Sequence, residues 1–127
     1  MILVDTSVWI DHLHLPDPVL ALAIAEDRVI HHPFVTAELA LGSLPRRSEL
    51  LETLAFLPSA VVVELDEFLD FVETRRLFAT GLGMVDAHLL ASASAVAGTR
   101  LWTRDKRLAE QAARLHLAAF PLGSSGG

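Results

Sequence analysis

Met1-Ile2-Leu3-Val4-Asp5-Thr6-Ser7-Val8-Trp9-Ile10-Asp11 is the stretch from which the fold is read. Three apolar residues in a row, stopped by Asp-Thr-Ser, predict a short buried strand over 2–4 that ends at Asp5. Thr6 or Ser7 is then placed to cap a helix running to His14. In an open α/β sheet, ligands gather beyond the carboxyl ends of the strands, so a carboxylate there faces the crevice. An unpaired buried charge is costly, so Asp5 needs a cation or hydrogen-bond donors. Taken alone, it reads equally well as a structural residue opening the next helix.

A second strand ends the same way. Arg100-Leu101-Trp102-Thr103 leads into Arg104-Asp105-Lys106-Arg107, after which Leu108, Ala109, Ala112, Ala113 and Leu115 recur at helical spacing. Two further acids lie among apolar neighbours. Glu38 sits in Pro33-Phe34-Val35-Thr36-Ala37-Glu38-Leu39-Ala40-Leu41-Gly42, a helix opened by Pro33 and closed by Gly42. Asp86 follows Gly81-Leu82-Gly83-Met84-Val85, in the first turn of an Ala/Ser-rich helix whose dipole favours a negative charge.

The remaining chain alternates. Asp17-Pro18 opens a helix with Val19, Leu20, Leu22, Ala23 and Ile24, and Val29-Ile30 makes a second strand. Leu44-Pro45 precedes a helix carrying Leu50, Leu51 and Leu54, which Leu57-Pro58 ends. Ala60-Val61-Val62-Val63 reads as a third, β-branched strand, and Leu65, Phe68, Leu69, Val72 and Leu77 as a helical stripe. A last edge strand is expected near 116–120. Strands separated by helices imply a parallel sheet covered on both faces. Residues 1–122 are expected to form one domain, and the Gly/Ser run at 123–127 a flexible tail.

The segments Val4-Asp5-Thr6-Ser7, Glu38-Leu39, Val85-Asp86-Ala87 and Thr103-Arg104-Asp105 resemble, in order and spacing, the signature of PIN-domain nucleases. His32-Pro33-Phe34-Val35-Thr36-Ala37-Glu38-Leu39 and Leu101-Trp102-Thr103-Arg104-Asp105-Lys106-Arg107-Leu108 are similar to the VapC branch, the toxins of type II toxin–antitoxin pairs. The resemblance implies a PIN-like three-layer α/β/α fold with a short central parallel sheet. It implies a metal-dependent endoribonuclease in which Asp5, Glu38, Asp86 and Asp105 are catalytic and hold Mg²⁺ or Mn²⁺, directly or through water. Thr6, Ser7 and Thr103 would be hydroxyl helpers. The implied partners are RNA, a cognate antitoxin protein lying across the crevice, and a second copy of the chain in a homodimer.

Elementary electrostatics agrees with that ligand set. Two carboxylates about 4 Å apart repel by roughly 4 kcal/mol at an effective dielectric of 20, so a cluster takes up protons or a cation. Oxygen-only ligands suit Mg²⁺ or Mn²⁺. His31-His32 is not a metal pair, because adjacent strand side chains diverge. His88 points away from Asp86's face and reads as a hydrogen-bonded structural histidine. Trp9 and Trp102 read as core. Two other functions stay open: a non-catalytic module on the same fold, and a phosphatase with a strand-end Asp nucleophile. The latter wants a second Asp two residues on, where Ser7 stands.

Bulk properties set limits. Sixteen acids against ten Lys and Arg give a net charge of −6, low for a nonspecific nucleic-acid binder. The cations cluster, however: Arg100, Arg104, Lys106 and Arg107 bracket Asp105, and Arg104, Lys106 and Arg107 are the candidate RNA contacts. Arg46-Arg47 and Arg75-Arg76 form two further pairs, the second read as a solvated face. There is no cysteine and no run of roughly 18 uncharged residues, and with a strand read from Ile2 no signal segment is expected. A cytoplasmic protein with no membrane span is expected. A hydrophobic share of 52% leaves two readings, a well-packed core or a partner surface on the helices carrying Val19–Ile24 and Leu50–Leu54.

Overall fold

The strand at the amino terminus, β1 (Ile2–Val4), is the middle strand of a parallel sheet. It is flanked by β2 (Val29–Ile30) and β3 (Arg100–Trp102), in the order β2-β1-β3. The computed structural model describes residues 1–121, and the expected tail at 123–127 lies outside the described residues. Successive strand side chains point to opposite faces, yet Leu3 and Val4 are both fully buried, as are Leu101 and Trp102. Both faces of the sheet are therefore covered, and the architecture is three-layer α/β/α as expected.

Seven helices among the described residues supply the cover: α1 (Thr6–His14), α2 (Pro18–Ala25), α3 (Pro33–Leu41), α4 (Arg47–Phe56), α5 (Leu65–Thr74), α6 (Met84–Ala95) and α7 (Lys106–Arg114). Helix α3 packs on α1 and α4, and α6 packs on α5 and β3. The start signals act as read at α2, where one oxygen of Asp17 accepts the N–H groups of Val19 and Leu20. Leu20, Leu39, Leu54, Leu89, Leu90 and Leu108 then fill the core with Trp9 and Trp102. None of the helices is long and apolar enough to cross a membrane.

Three local expectations change. The first helix begins at Thr6, so Asp5, not Thr6 or Ser7, occupies its cap position, and its side chain makes no capping bond. Residues 60–63 form no strand; the chain touches the sheet edge only at His31, whose N–H donates to Pro58 and whose carbonyl accepts from Ala60. The neighbouring strand β2 has two residues before the chain turns into α3 at Pro33, and the Val61 carbonyl is claimed by the Ser92 hydroxyl. The edge strand near 116–120 is likewise a single bridge between Leu101 and Ala118.

His32 ties three of these pieces together. Its Nδ1 accepts the Phe34 N–H at the start of α3, so the proton sits on Nε2, 3.0 Å from the Ser92 hydroxyl of α6. That hydroxyl donates in turn to Val61. Burial, then the nearby rings of His88 and His31, push the fully buried His32 down to about 4, so it is neutral. His88 is also structural, but by stacking: its ring lies 3.9 Å from that of Phe68, and its buried Nδ1 has no hydrogen-bond partner among the described residues, contrary to the expected bonded histidine.

Candidate active site

Strand register brings the two strand ends together. Val4 pairs with Trp102, and the Asp5 N–H donates to the Trp102 carbonyl at 2.9 Å, so Asp5 and Thr103 leave the sheet side by side. Asp5 is 4% exposed. Its Oδ2 accepts from the Thr103 hydroxyl at 2.7 Å and the Ser7 hydroxyl at 2.9 Å. These two donors satisfy a carboxylate that burial would otherwise make costly. Ser7 also accepts the Arg104 backbone N–H, and Thr103 accepts that of Asp105. The hydroxyls of Ser7 and Thr103 thus hold the turn after β3 onto the start of α1.

Thr6, the first residue of α1, donates to Oε1 of Glu38 at 2.7 Å, which brings α3 to the same crevice. Asp105 caps α7, its Oδ1 accepting from the Leu108 N–H. In all three of Asp5, Glu38 and Asp105, one carboxylate oxygen is engaged by the protein. The other has no donor among the described residues.

Asp86 completes the group from the first turn of α6. Burial raises its carboxyl first, and the charges of Asp5, Asp105 and Glu38 raise it further, to about 6. The N-terminal end of α6 pulls the other way, but a helix dipole is worth about 0.3–1 kcal/mol near the surface. The net shift is upward, so burial and like charge win. The charges of Asp5, Asp105 and Glu38 thus each reach Asp86, while among the described residues no Lys or Arg forms an ion pair with any of the four.

No three His, Asp or Glu side chains among the described residues are gathered tightly enough to enclose an ion as they stand. This does not exclude a hard divalent cation, since Mg²⁺ keeps several waters and is usually held by one or two carboxylates. An all-oxygen donor set, an uncompensated charge and a free oxygen on each engaged carboxylate fit such an ion.

The basic residues around Asp105 divide. Arg104 directs its guanidinium away from the carboxylates, onto Asp11 at 2.8 Å and onto Asp17. Arg107 lies over the Gly81 loop, with Nη1 3.4 Å from the Gly81 carbonyl, and Lys106 is exposed with no ion pair among the described residues. The Arg46-Arg47 pair serves the helices: Arg46 donates to the Leu13 carbonyl, and Arg47 donates twice to that of Ala40. The roles of Asp11 and Asp17 toward Arg104 were not read from the sequence. The spacing held a signal, because Ser7 and Asp11 are four apart on α1 and share a face.

Fold and acidic crevice define a class, and the chain belongs to it: a PIN domain matches residues 2–114. Two proteins named Ribonuclease VapC32, from Mycobacterium tuberculosis strains CDC 1551 / Oshkosh and ATCC 25618 / H37Rv, are each 54% identical to the chain over 108 residues. The match spans 85% of this chain and 87% of each relative, which places the chain in the VapC branch of the family. PIN-domain ribonucleases are in general dependent on a divalent metal.

Proposed function

We propose that this chain is the toxin of a type II toxin–antitoxin pair, an endoribonuclease that hydrolyses RNA phosphodiester bonds using a carboxylate-bound Mg²⁺ or Mn²⁺. The observation that carries the reading is Asp86, a half-buried carboxyl raised to about 6 by burial and three neighbouring carboxylates. Clustered carboxylates without a basic partner attract a hard cation. Asp5, Glu38, Asp86 and Asp105 are the residues that would hold it, directly or through water. When bound, such an ion neutralises charge on the scissile phosphate and acidifies water.

The chain's own residues prepare that site. Thr103 and Ser7 fix Asp5 by one oxygen, and Thr6 fixes Glu38 in the same way. Asp86 holds a proton on its carboxyl below about pH 6 and is ionised above it. Lys106 and Arg107 are the side chains available to the RNA backbone.

VapC toxins in general pair with an antitoxin and bind RNA. Exposed apolar side chains support a covered surface here. Leu41 and Phe56 are 89% and 90% exposed, with Leu15 and Leu22 also open, whereas Leu20, Leu50 and Leu54 are core. Partner contact on α2 and α4 would therefore use Leu22 and Phe56, and the remaining expectations are a homodimer and a cytoplasmic location. Light scattering at micromolar concentration tests the dimer, which a purely monomeric elution would remove.

The activity is tested by incubating RNA with wild-type protein and Asp5→Asn, in Mg²⁺ and in EDTA. Cleavage by the wild type in Mg²⁺ alone is expected. Equal cleavage by Asp5→Asn, or undiminished cleavage in EDTA, would overturn the reading.

A further inference from the structure

Arg104 is the most heavily engaged side chain near the acidic crevice, and none of its bonds reaches the crevice. Nη1 donates to Oδ2 of Asp11 on α1 at 2.8 Å, and Nη2 donates to Oδ2 of Asp17 at the start of α2. The guanidinium also lies over the Trp102 ring, 5.9 Å from its centroid. Asp17 is 7% exposed, and its other oxygen already accepts two helix N–H groups, so Arg104 supplies its counter-charge. The Asp17 backbone N–H donates to Nδ1 of His12, which closes the corner between α1 and α2. Paired with two carboxylates, the guanidinium sits in a cluster whose net charge is negative, which offers a phosphate little attraction.

The backbone of the same residue points the other way. The Arg104 N–H donates to the Ser7 hydroxyl, which donates to Asp5. On one side of Arg104 is Thr103, whose hydroxyl donates to Asp5, and on the other is Asp105. The turn of residues 103–105 is therefore held at both ends of Arg104, by Ser7 through the main chain and by Asp11 and Asp17 through the side chain. Ser7 and Asp11 lie one turn apart on α1, so the two anchors share a single helix face.

We propose that Arg104 is a positioning residue: its clamp on Asp11 and Asp17 sets where Thr103 and Asp105 stand relative to Asp5 and Asp86, and it is not a phosphate contact. The proposal rests on the nuclease reading above and assigns Arg104 and Asp11 a part in it. The acidic residue gives the discriminating arm. Were Arg104 a phosphate contact, removing Asp11 would free its guanidinium and leave cleavage equal or improved. As a clamp, losing Asp11 has the same direction of effect as losing Arg104.

The experiment compares wild type, Arg104→Gln, Arg104→Lys and Asp11→Ala, with circular dichroism as the check on folding. Asp11 is exposed, so Asp11→Ala keeps the test open if Arg104→Gln leaves Asp17 unpaired and fails to fold. Two readouts need no turnover. Mn²⁺ titration of the thermal shift gives a half-saturating concentration, expected to rise about 3- to 10-fold in Arg104→Gln and Asp11→Ala and to recover partly in Arg104→Lys. The salt dependence of RNA binding should keep its slope, since no phosphate contact is lost. In cleavage assays kcat falls while KM holds.

A salt slope reduced by about one in Arg104→Gln, with unchanged Mn²⁺ half-saturation, would overturn the proposal. So would wild-type or faster cleavage by Asp11→Ala. A wild type that cleaves RNA without responding to Mn²⁺ would remove the metal reading alone. The kcat and KM split then decides: a kcat loss supports the clamp, and a KM change alone refutes it.

Discussion

Replacing Asp86 with Asn should make the metal-free protein more stable while abolishing RNA cleavage. The carboxyl is raised to about 6 by burial and by Asp5, Asp105 and Glu38, against about 3.9 in an unfolded chain. The folded state therefore holds this proton more tightly than the unfolded state, and stability falls as pH rises between those two values. The full difference corresponds to about 3 kcal/mol above pH 6. Asp86 is only half-buried, so solvent screening reduces it to about 1–2 kcal/mol. Asn mimics the protonated carboxyl and escapes the penalty at every pH.

Urea unfolding in EDTA at pH 4, 6 and 8 reads the effect directly. The gain from Asp86→Asn should be near zero at pH 4 and grow to about 1–2 kcal/mol at pH 8. Groups not coupled to Asp86 act on both proteins and cancel in the difference, while Asp5, Asp105 and Glu38 are relieved of the same repulsion and change it in the same direction. Excess Mg²⁺ should then reverse the order, because a ligand at 100 times its Kd stabilises the wild type by about 2.7 kcal/mol. A variant that is less stable than wild type at pH 8 without metal, or whose advantage is the same at pH 4, would refute the picture of a strained acidic cluster.

His32 titrates with the opposite sign: its folded value of about 4 lies below the usual histidine range, so wild-type stability falls on acidification from about pH 6.5. His32→Asn should be less stable than wild type at pH 8 but lose less on going to pH 4, and a parallel loss would remove His32 as the acid-sensitive group. Gly81 has φ +84°, and an added Cβ would stand 2.8 Å from Nη1 of Arg107. Gly81→Ala should therefore cost about 1–2 kcal/mol in urea unfolding, mostly from the backbone since the Arg107 tip can move, and a neutral result would show that the loop relaxes. Arg107→Gln and Lys106→Gln should each reduce the salt slope of RNA binding by about one if they touch phosphate, and unchanged slopes in both would return them to the solvated surface.

Much of the fold was legible because its signals are local. Apolar runs stopped at Asp5 and Thr103, Asp17-Pro18 opened α2, and Pro33 and Gly42 bracketed α3 where expected. The failures are pairing decisions, which depend on a partner far along the chain. Val61, Val62 and Val63 favour extended backbone, and propensity alone cannot say whether an edge is there to receive them. In this fold the edge ends at His31, Pro58 has no N–H to donate, and Ser92 takes the Val61 carbonyl. Leu65 and Leu69 belong to the predicted stripe of α5 yet are 66% and 52% exposed, while Phe68 of the same helix is buried and stacks on His88 of α6.

The acidic positions proposed for the site were readable as a set, and their basic surroundings were not. A strand-end or apolar-flanked acid taken singly reads as well as a capping residue, so Asp5, Glu38, Asp86 and Asp105 stand out only together, in register with the PIN-domain signature. A cation beside such an acid is ambiguous, because an arginine satisfies a carboxylate, a carbonyl or a phosphate with the same guanidinium. Arg46 and Arg47 are drawn to the carbonyls of Leu13 and Ala40, and Arg104 to Asp11 and Asp17. Those side chains steady helices instead of adding to a phosphate-binding field. A net charge of −6 is then felt more strongly at the crevice than the run Arg104-Asp105-Lys106-Arg107 suggests. An RNA backbone approaching the proposed site meets four carboxylates against the exposed Lys106 and an Arg107 that already leans on the Gly81 carbonyl, a balance that favours repulsion. The proposed site therefore predicts that neutralising these acids aids RNA binding as well as cleavage: RNA affinity should drop in EDTA even where cleavage is blocked by Asp5→Asn.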